Sequence, residues 1–311
     1  MSSNAKTWWA VIGPDPSHQG NHQKLTGPAS VGPLELVPAD IMHEVGPVKF
    51  PPQLGAGGYS NFWTFPIQVS GPAIASSASR RPLLPDMPFL LPVDVRKDAA
   101  RLLHRLRIIL ALAWDRDWTV RDMPRPEALP LPTFIGPGES KLQLDPAEGF
   151  EQIPVDVPTW ASEAWTGLAS NRIARDAAAS HLEGVAMSTR HPSFAFLAFV
   201  AAIEAIGQAM DKPDRCPICN QIIGSTSAFA QALRVVVPED EVRELNPAKI
   251  RSSTIHAAVL HGDESLLGST PDWGEGEPER VFAWERVPTL RNASRRLILR
   301  TLGIAPDPDA G

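Results

Sequence analysis

Residues 246–262 read NPAKIRSSTIHAAVLHG, and this stretch decides how the C-terminal half of the chain is read. Asn246 offers a side-chain oxygen to cap a helix, and Pro247 suits the first helical position. Gly262 fits the left-handed position after a helix, with His261 in the last turn at the negative end of the dipole. One helix ending at His261 is therefore predicted. At about 100° per residue, positions 254, 257 and 261 fall within about 40° of Ile250 and make the expected core face. Arg251 and His256 lie about 140° apart, with Ile255 and Val259 between them. The side away from the core is thus apolar at its centre and flanked by Arg and His. A helix apolar on two sides is buried on two sides. The second side is expected to meet another helix, and a second copy of the chain would bring two Arg251 and two His256 around one cleft. Histidine moves a proton near neutral pH, and the guanidinium fork holds a phosphate.

The chain has 311 residues, a length that suits two domains. Its net charge is −6 and its isoelectric point about 5.8, which excludes a generally basic nucleic-acid coat. Any nucleic-acid contact has to come from a local patch. Residues 1–6 are polar, and no apolar stretch of signal-peptide type follows. The longest apolar run, Phe194 to Ile203, is about half a membrane span, and Glu204 ends it. A cytoplasmic protein with no membrane partner is expected. Two cysteines do not make a disulfide scaffold.

Proline divides the chain. Of 32 prolines, 22 lie in residues 1–160, and a Pro-dense segment cannot be mainly helical. Strands are expected at Trp8–Ile12, Leu34–Val37, Phe62–Val69 with Pro66 interrupting, and Trp118–Val120. Leu102, Leu103, Leu106, Ile109, Leu110 and Ala113 recur at helical spacing, which predicts one long helix over about 95–114, with Asp94 as a candidate N-cap. Residues 136–158 read as a Pro- and acid-rich connector. Helices are expected over 162–187, 193–210, 225–236 and 239–245, and over 281–302, whose end is strongly basic. Residues 263–279 read as a Gly- and acid-rich loop. The fold class is α+β: a strand-rich module over 1–155, of unassigned role, followed by an all-α bundle over 160–305.

That second half resembles a HEPN domain, a bundle of four or five helices marked by Arg-x(4–6)-His on its penultimate long helix. The matching residues are Arg251 to His256, with Ser252 as the polar residue that usually follows the Arg. The preceding apolar helix, Phe196 to Ile206 with Glu204 in it, resembles that of the ApeA-like HEPN branch. The branch tends to read Arg-Ser-x-x-x-His-x-Gly. Here Ala258 stands where the glycine would be, and a second His-Gly follows at His261-Gly262, so either histidine is open to the family role, with His256 favoured by spacing. The resemblance implies a metal-independent endoribonuclease of toxin or defence type, a homodimer with a composite site. His256 would act as general acid or base, and Arg251 would neutralise the phosphate as charge builds. No cofactor is required for that chemistry. The resemblance equally implies the alternative of a non-catalytic HEPN-like dimer that binds nucleotide, RNA or a protein partner.

Other residues carry readings of their own. Glu204 on an apolar helix needs a partner, because a lone buried carboxylate is costly, and Arg251 or another arginine of the bundle would supply it. Arg251 and His256 also fit a hydrogen-bonded seam between helices. Arg291, Arg295 and Arg296 are the candidates for contact with an RNA backbone, or else a solvated charged face. Cys216 and Cys219 form a CxxC pair that suits a structural zinc only if other ligands complete it, His191 and His261 being available, and otherwise two reduced thiols in a turn. Trp8 and Trp9 read as a core or interface anchor, and His18, His22 and His43 as surface residues.

Overall fold

The computed structural model describes residues 7–14, 23–38, 43–49, 59–73, 91, 93–126, 128, 153–189, 191–210, 218–219, 225–245, 247–257, 261 and 282–305. Two compact units divide between residues 165 and 166. A strand-rich first unit with an antiparallel sheet is followed by a helical second unit, as α+β requires.

The first unit is built on β1 (Thr7–Pro14), whose residues from Trp8 to Pro14 alternate little because the strand is covered on both faces. Its sheet runs β3 (Ala29–Val31), β4 (Leu34–Pro38), β7 (Ile67–Pro72), β1 and β8 (Trp118–Arg125), and every neighbouring pair is antiparallel. Trp8 faces Gly71 across β1 and β7. A Cβ on Gly71 would lie 2.5 Å from the Trp8 indole, so glycine there makes room for the ring. The indole N–H donates to the Pro72 carbonyl at 3.2 Å. Phe65 and Pro66 separate β6 (Tyr59–Thr64) from β7, and β6 pairs instead with β5 (His43–Lys49). The helix α1 (Val93–Trp114) starts one residue before Asp94, which therefore lies in the first turn rather than at the cap. It leads into β8, and the Arg107 guanidinium reaches the buried Asp117 carboxylate at 2.7 Å.

The connector expected over 136–158 contains a strand. Residues β9 (Ile153–Val155) pair in parallel with β2 (Gln23–Leu25). Hydrophobic patterning gave no signal there, because the strand holds only three residues and its order comes from pairing. His18 and His22, the side chain of His43, and residues 136–152 and 263–279 lie outside the described residues.

In the second unit the helical stretch expected over 162–187 is two helices, α2 (Ala161–Ser170) and α3 (Arg172–Met187). Asn171 breaks them: its extended backbone ends one helix, and its side-chain oxygen accepts from the Ala174 N–H at 3.1 Å to cap the next. The centre is α4 (Pro192–Met210), packed against α3, α5 (Ser225–Arg234), α7 (Pro247–Ala257) and α8 (Val287–Thr301). It is the one helix among the described residues long and apolar enough to cross a membrane by length and composition. Here Phe196, Phe199, Val200 and Ile203 are buried in the bundle. The short α6 (Glu239–Leu245) follows α5, and a π-helical turn, Phe282–Arg286, opens α8.

Close approach fixes α4 on both sides. A Cβ on Gly184 of α3 would meet the Phe199 ring at 2.5 Å, and one on Gly207 would meet the Ala228 carbonyl oxygen of α5 at 2.4 Å. The ring can turn, but a helix carbonyl cannot. Gly207→Ala should therefore lose about 1–3 kcal/mol to overpacking, against about 0.5–1 kcal/mol gained in helix propensity. A lower Tm in calorimetry is the expected outcome, and an unchanged or raised Tm would show that α4 and α5 do not touch at this point.

Candidate functional site

Pro247 begins α7, as its preset φ and missing N–H allow; Asn246 and Gly262 lie outside the described residues. Ile250 and Thr254, one turn apart, are buried, and the Thr254 hydroxyl donates to the Ile250 carbonyl at 3.0 Å. The described helix ends at Ala257. His261 is not helical, which corrects the expectation of a helix reaching it. Its backbone N–H donates to the Ser193 hydroxyl oxygen of α4 at 2.8 Å instead of to a helical carbonyl.

Arg251 and Glu204 meet. The Arg251 Nη1 donates to Glu204 Oε1, joining α7 to α4. The Glu204 side chain keeps 12% of its exposure and that of Arg251 38%, so the carboxylate is sunk and the guanidinium is partly open. Ile255, four residues along the same side, is 53% exposed. Within one chain, therefore, no described residue covers the second apolar face predicted for this helix. The side chains of His256 and Ser252, and all of Val259, lie outside the described residues.

A second polar cluster lies across α7. The Ser253 hydroxyl sits 2.7 Å from His261 Nε2. The imidazole stacks at 5.7 Å and 33° on Phe282, which in turn packs at 5.2 Å on Phe196 of α4. Burial lowers the His261 pKa, and the positive charges of Arg286 and Lys249 lower it further. Spacing from Arg251 favoured His256 over His261. No sequence signal showed that His261 would meet Ser253.

The basic end of α8 does not form one stripe. At about 100° per residue, Arg291 and Arg295 lie about 40° apart, whereas Arg296 is about 140° from Arg291. Arg295 is buried at 8% exposure, which takes it off the surface an RNA backbone would meet. Arg296 is exposed and donates to the Val236 carbonyl at 2.9 Å. The half-buried Arg291 and the buried Arg295 instead act on His181 of α3. Ser294 gives its proton to the Arg291 carbonyl at 2.9 Å, so His181 Nδ1 donates to Ser294 at 2.7 Å. That leaves Nε2 a buried lone pair with no partner among the described residues.

Cys219 is exposed in a turn beside Ile218, which is 94% exposed, and Cys216 lies outside the described residues. Among the described residues no three His, Cys, Asp or Glu side chains converge as a metal site would need. His191 lies against Phe194 at 6.3 Å. No protein-family model, curated protein or solved structure matches this chain.

His181 makes stability depend on pH. Burial, then Arg291, then Arg295, press its pKa from 6.5 to about 3. Below pH 6.5 the unfolded chain binds a proton that the folded chain refuses, so stability falls as pH drops from 6.5 toward about 3. Relative to pH 7.5, this residue should cost about 2 kcal/mol at pH 5. Urea denaturation of wild type and His181→Gln at the two pH values measures it: the variant should lose less stability on acidification, and equal losses would refute the assignment.

Proposed function

We propose that the helical unit is a metal-independent ribonuclease of HEPN type, a homodimer with toxin- or defence-type activity, in which Arg251 and His256 act on the RNA phosphodiester. The observation that carries this reading is the Arg251–Glu204 ion pair. A guanidinium presents five N–H donors in a rigid fork. Glu204 engages one terminal nitrogen from a buried position and so aims the side chain without covering it. The donors left over suit a phosphate oxygen on which negative charge builds during attack by the ribose 2′-hydroxyl. The reading also gives Ile255 a role. Covered by a second α7, its exposed surface would be buried and the Arg and His positions of two chains brought to one cleft.

The net charge of −6 and the burial of Arg295 favour a second reading, a non-catalytic dimer of the same type that binds nucleotide, RNA or a protein, because a general ribonuclease usually needs a basic cleft.

The two readings separate in one assay. Purified full-length protein is incubated with a mixed RNA pool in EDTA, beside Arg251→Ala and His256→Ala proteins whose folding and oligomeric state are checked. Cleavage by wild type, falling about 100-fold or more in each folded dimeric variant, is the expected outcome. A dimeric wild type that leaves the pool intact would replace the enzyme by the binding module.

A further inference from the structure

A cavity of about 380 Å³ opens in the helical unit between the start of α3, the end of α4, Val235 just after α5, and the end of α8. That volume lies in the range of small-molecule sites. Every residue that lines it is among the described ones, and none of them is acidic. Its floor is apolar, since Ile206 of α4 and Leu297 of α8 are buried. At its rim Ile173 and Met210 keep 41% and 51% of their exposure. Single exposed apolar residues are ordinary, but two that meet over an apolar hollow leave surface for a ligand to cover.

The polar lining comes from two chain segments that pack together. Gly167 of α2 lies against the Leu302 side chain, where a Cβ would come within 2.8 Å of it. The Asn171 N–H donates to the Gly167 carbonyl at 2.8 Å, which brings Asn171 to the end of α8. Asn171 Oδ1 is taken by the Ala174 N–H, so what the side chain has left to offer is its amide N–H donors. The Thr301 hydroxyl gives its proton to the Leu297 carbonyl at 2.7 Å and keeps only lone pairs. Arg300 is exposed and forms no ion pair among the described residues. Nor does it close its own helix: the N–H groups of Leu302, Gly303 and Ile304 already reach the Ile298, Arg300 and Leu299 carbonyls at 2.9–3.0 Å. An apolar floor is thus edged by one guanidinium and one amide, both donors.

We propose that this cavity binds an amphiphilic monocarboxylate, its hydrocarbon chain against Ile206, Leu297 and Met210 and its carboxylate held by Arg300 and the Asn171 amide. A carboxylate meets the planar guanidinium with two parallel hydrogen bonds. One cation balances one negative charge, which favours a monoanion over a phosphate monoester carrying nearly two. A wholly apolar ligand leaves both donors unused, and a small anion leaves Ile173 and Met210 bare. A ligand with both parts answers both, and the flexible thioether of Met210 can follow the shape of a chain. Arg251 and Glu204 do not line the cavity, so this site stands apart from the ribonuclease reading.

The test is calorimetric titration of full-length protein with decanoate, beside octanoate and acetate, using wild type, Arg300→Gln and Met210→Glu. Both substituted positions are exposed, and circular dichroism checks that each variant folds. We expect one decanoate per chain, saturating below about 1 mM. Octanoate should bind more weakly, because each buried methylene counts, and acetate not at all. Arg300→Gln should weaken decanoate about tenfold or more, and Met210→Glu, which sets a carboxylate at the rim, should abolish binding. A wild type that does not saturate with decanoate overturns the assignment, as does an Arg300→Gln protein that binds it equally well. Binding that survives in folded Met210→Glu places the ligand elsewhere and also overturns it. Self-association of the wild type that decanoate leaves intact and Met210→Glu disrupts would give the cavity to a second copy of the chain instead. If Met210→Glu does not fold, Arg300→Gln decides alone.

Discussion

A carboxylate on an otherwise apolar central helix is the constraint on which the helical unit turns. Left alone in the interior, Glu204 would shift its protonation or pull α4 toward water, because an unpaired buried charge is costly. Arg251 answers it from α7, and that contact sets more than one side chain. With Arg251 directed at α4, the geometry of an α-helix sends Ser253 to the far side. Ser253 meets His261, whose backbone N–H donates to the Ser193 hydroxyl near the start of α4. The two polar clusters on α7 are consequences of one pairing and close a circuit that starts and ends on α4. Ion pairs sunk in this way are poor sources of stability but good sources of register, and this one joins α7 to α4.

The molecule holds a natural comparison between two histidines. His181 and His261 each face a serine whose proton is already given to a carbonyl of its own helix. Each is therefore an N–H donor to that serine, and each is pressed below the usual histidine pKa by burial and two cations. Their difference is access. His181 is sealed between α3, α8 and the Phe199 ring at 5.4 Å, so its free nitrogen only adds to the cost of burial. His261 is half-buried among the described residues. A lowered pKa is thus no mark of function by itself.

What the sequence made legible follows from period and length. The 22-residue α1 and 19-residue α4 carry enough apolar residues for the helical period to stand out, and their ends lie close to the expected ones. β1, β4, β7 and β8 stood out because their apolar runs are bounded by turn residues. β2, β3 and β9 have three residues each and exist by pairing, which no local pattern encodes. The break at Asn171 was readable in retrospect as a capping residue with a polar surround. The division of the α8 arginines was fixed by helical angle, yet a cluster in sequence read as a cluster in space. At the site, the need of Glu204 for an arginine followed from charge alone, whereas the contact of His261 with Ser253 had no signature.

Acidic net charge and phosphate chemistry are compatible in such a molecule because screening limits what each charge can feel. At physiological ionic strength the Debye length is about 8 Å, so exposed carboxylates beyond that distance contribute little at the α7 surface. What a phosphate meets there is set by its nearest neighbours. Arg251 keeps donors beyond the one that Glu204 engages, and Lys249 and Arg286 have no carboxylate partner among the described residues. A site of this kind does not gather nucleic acid from a distance, since the summed field of the chain is negative. In the proposed ribonuclease a strand has to be brought to it by complementarity of shape or by a second copy of the chain. Weak general affinity for RNA and the proposed phosphate site are therefore compatible within one charge distribution.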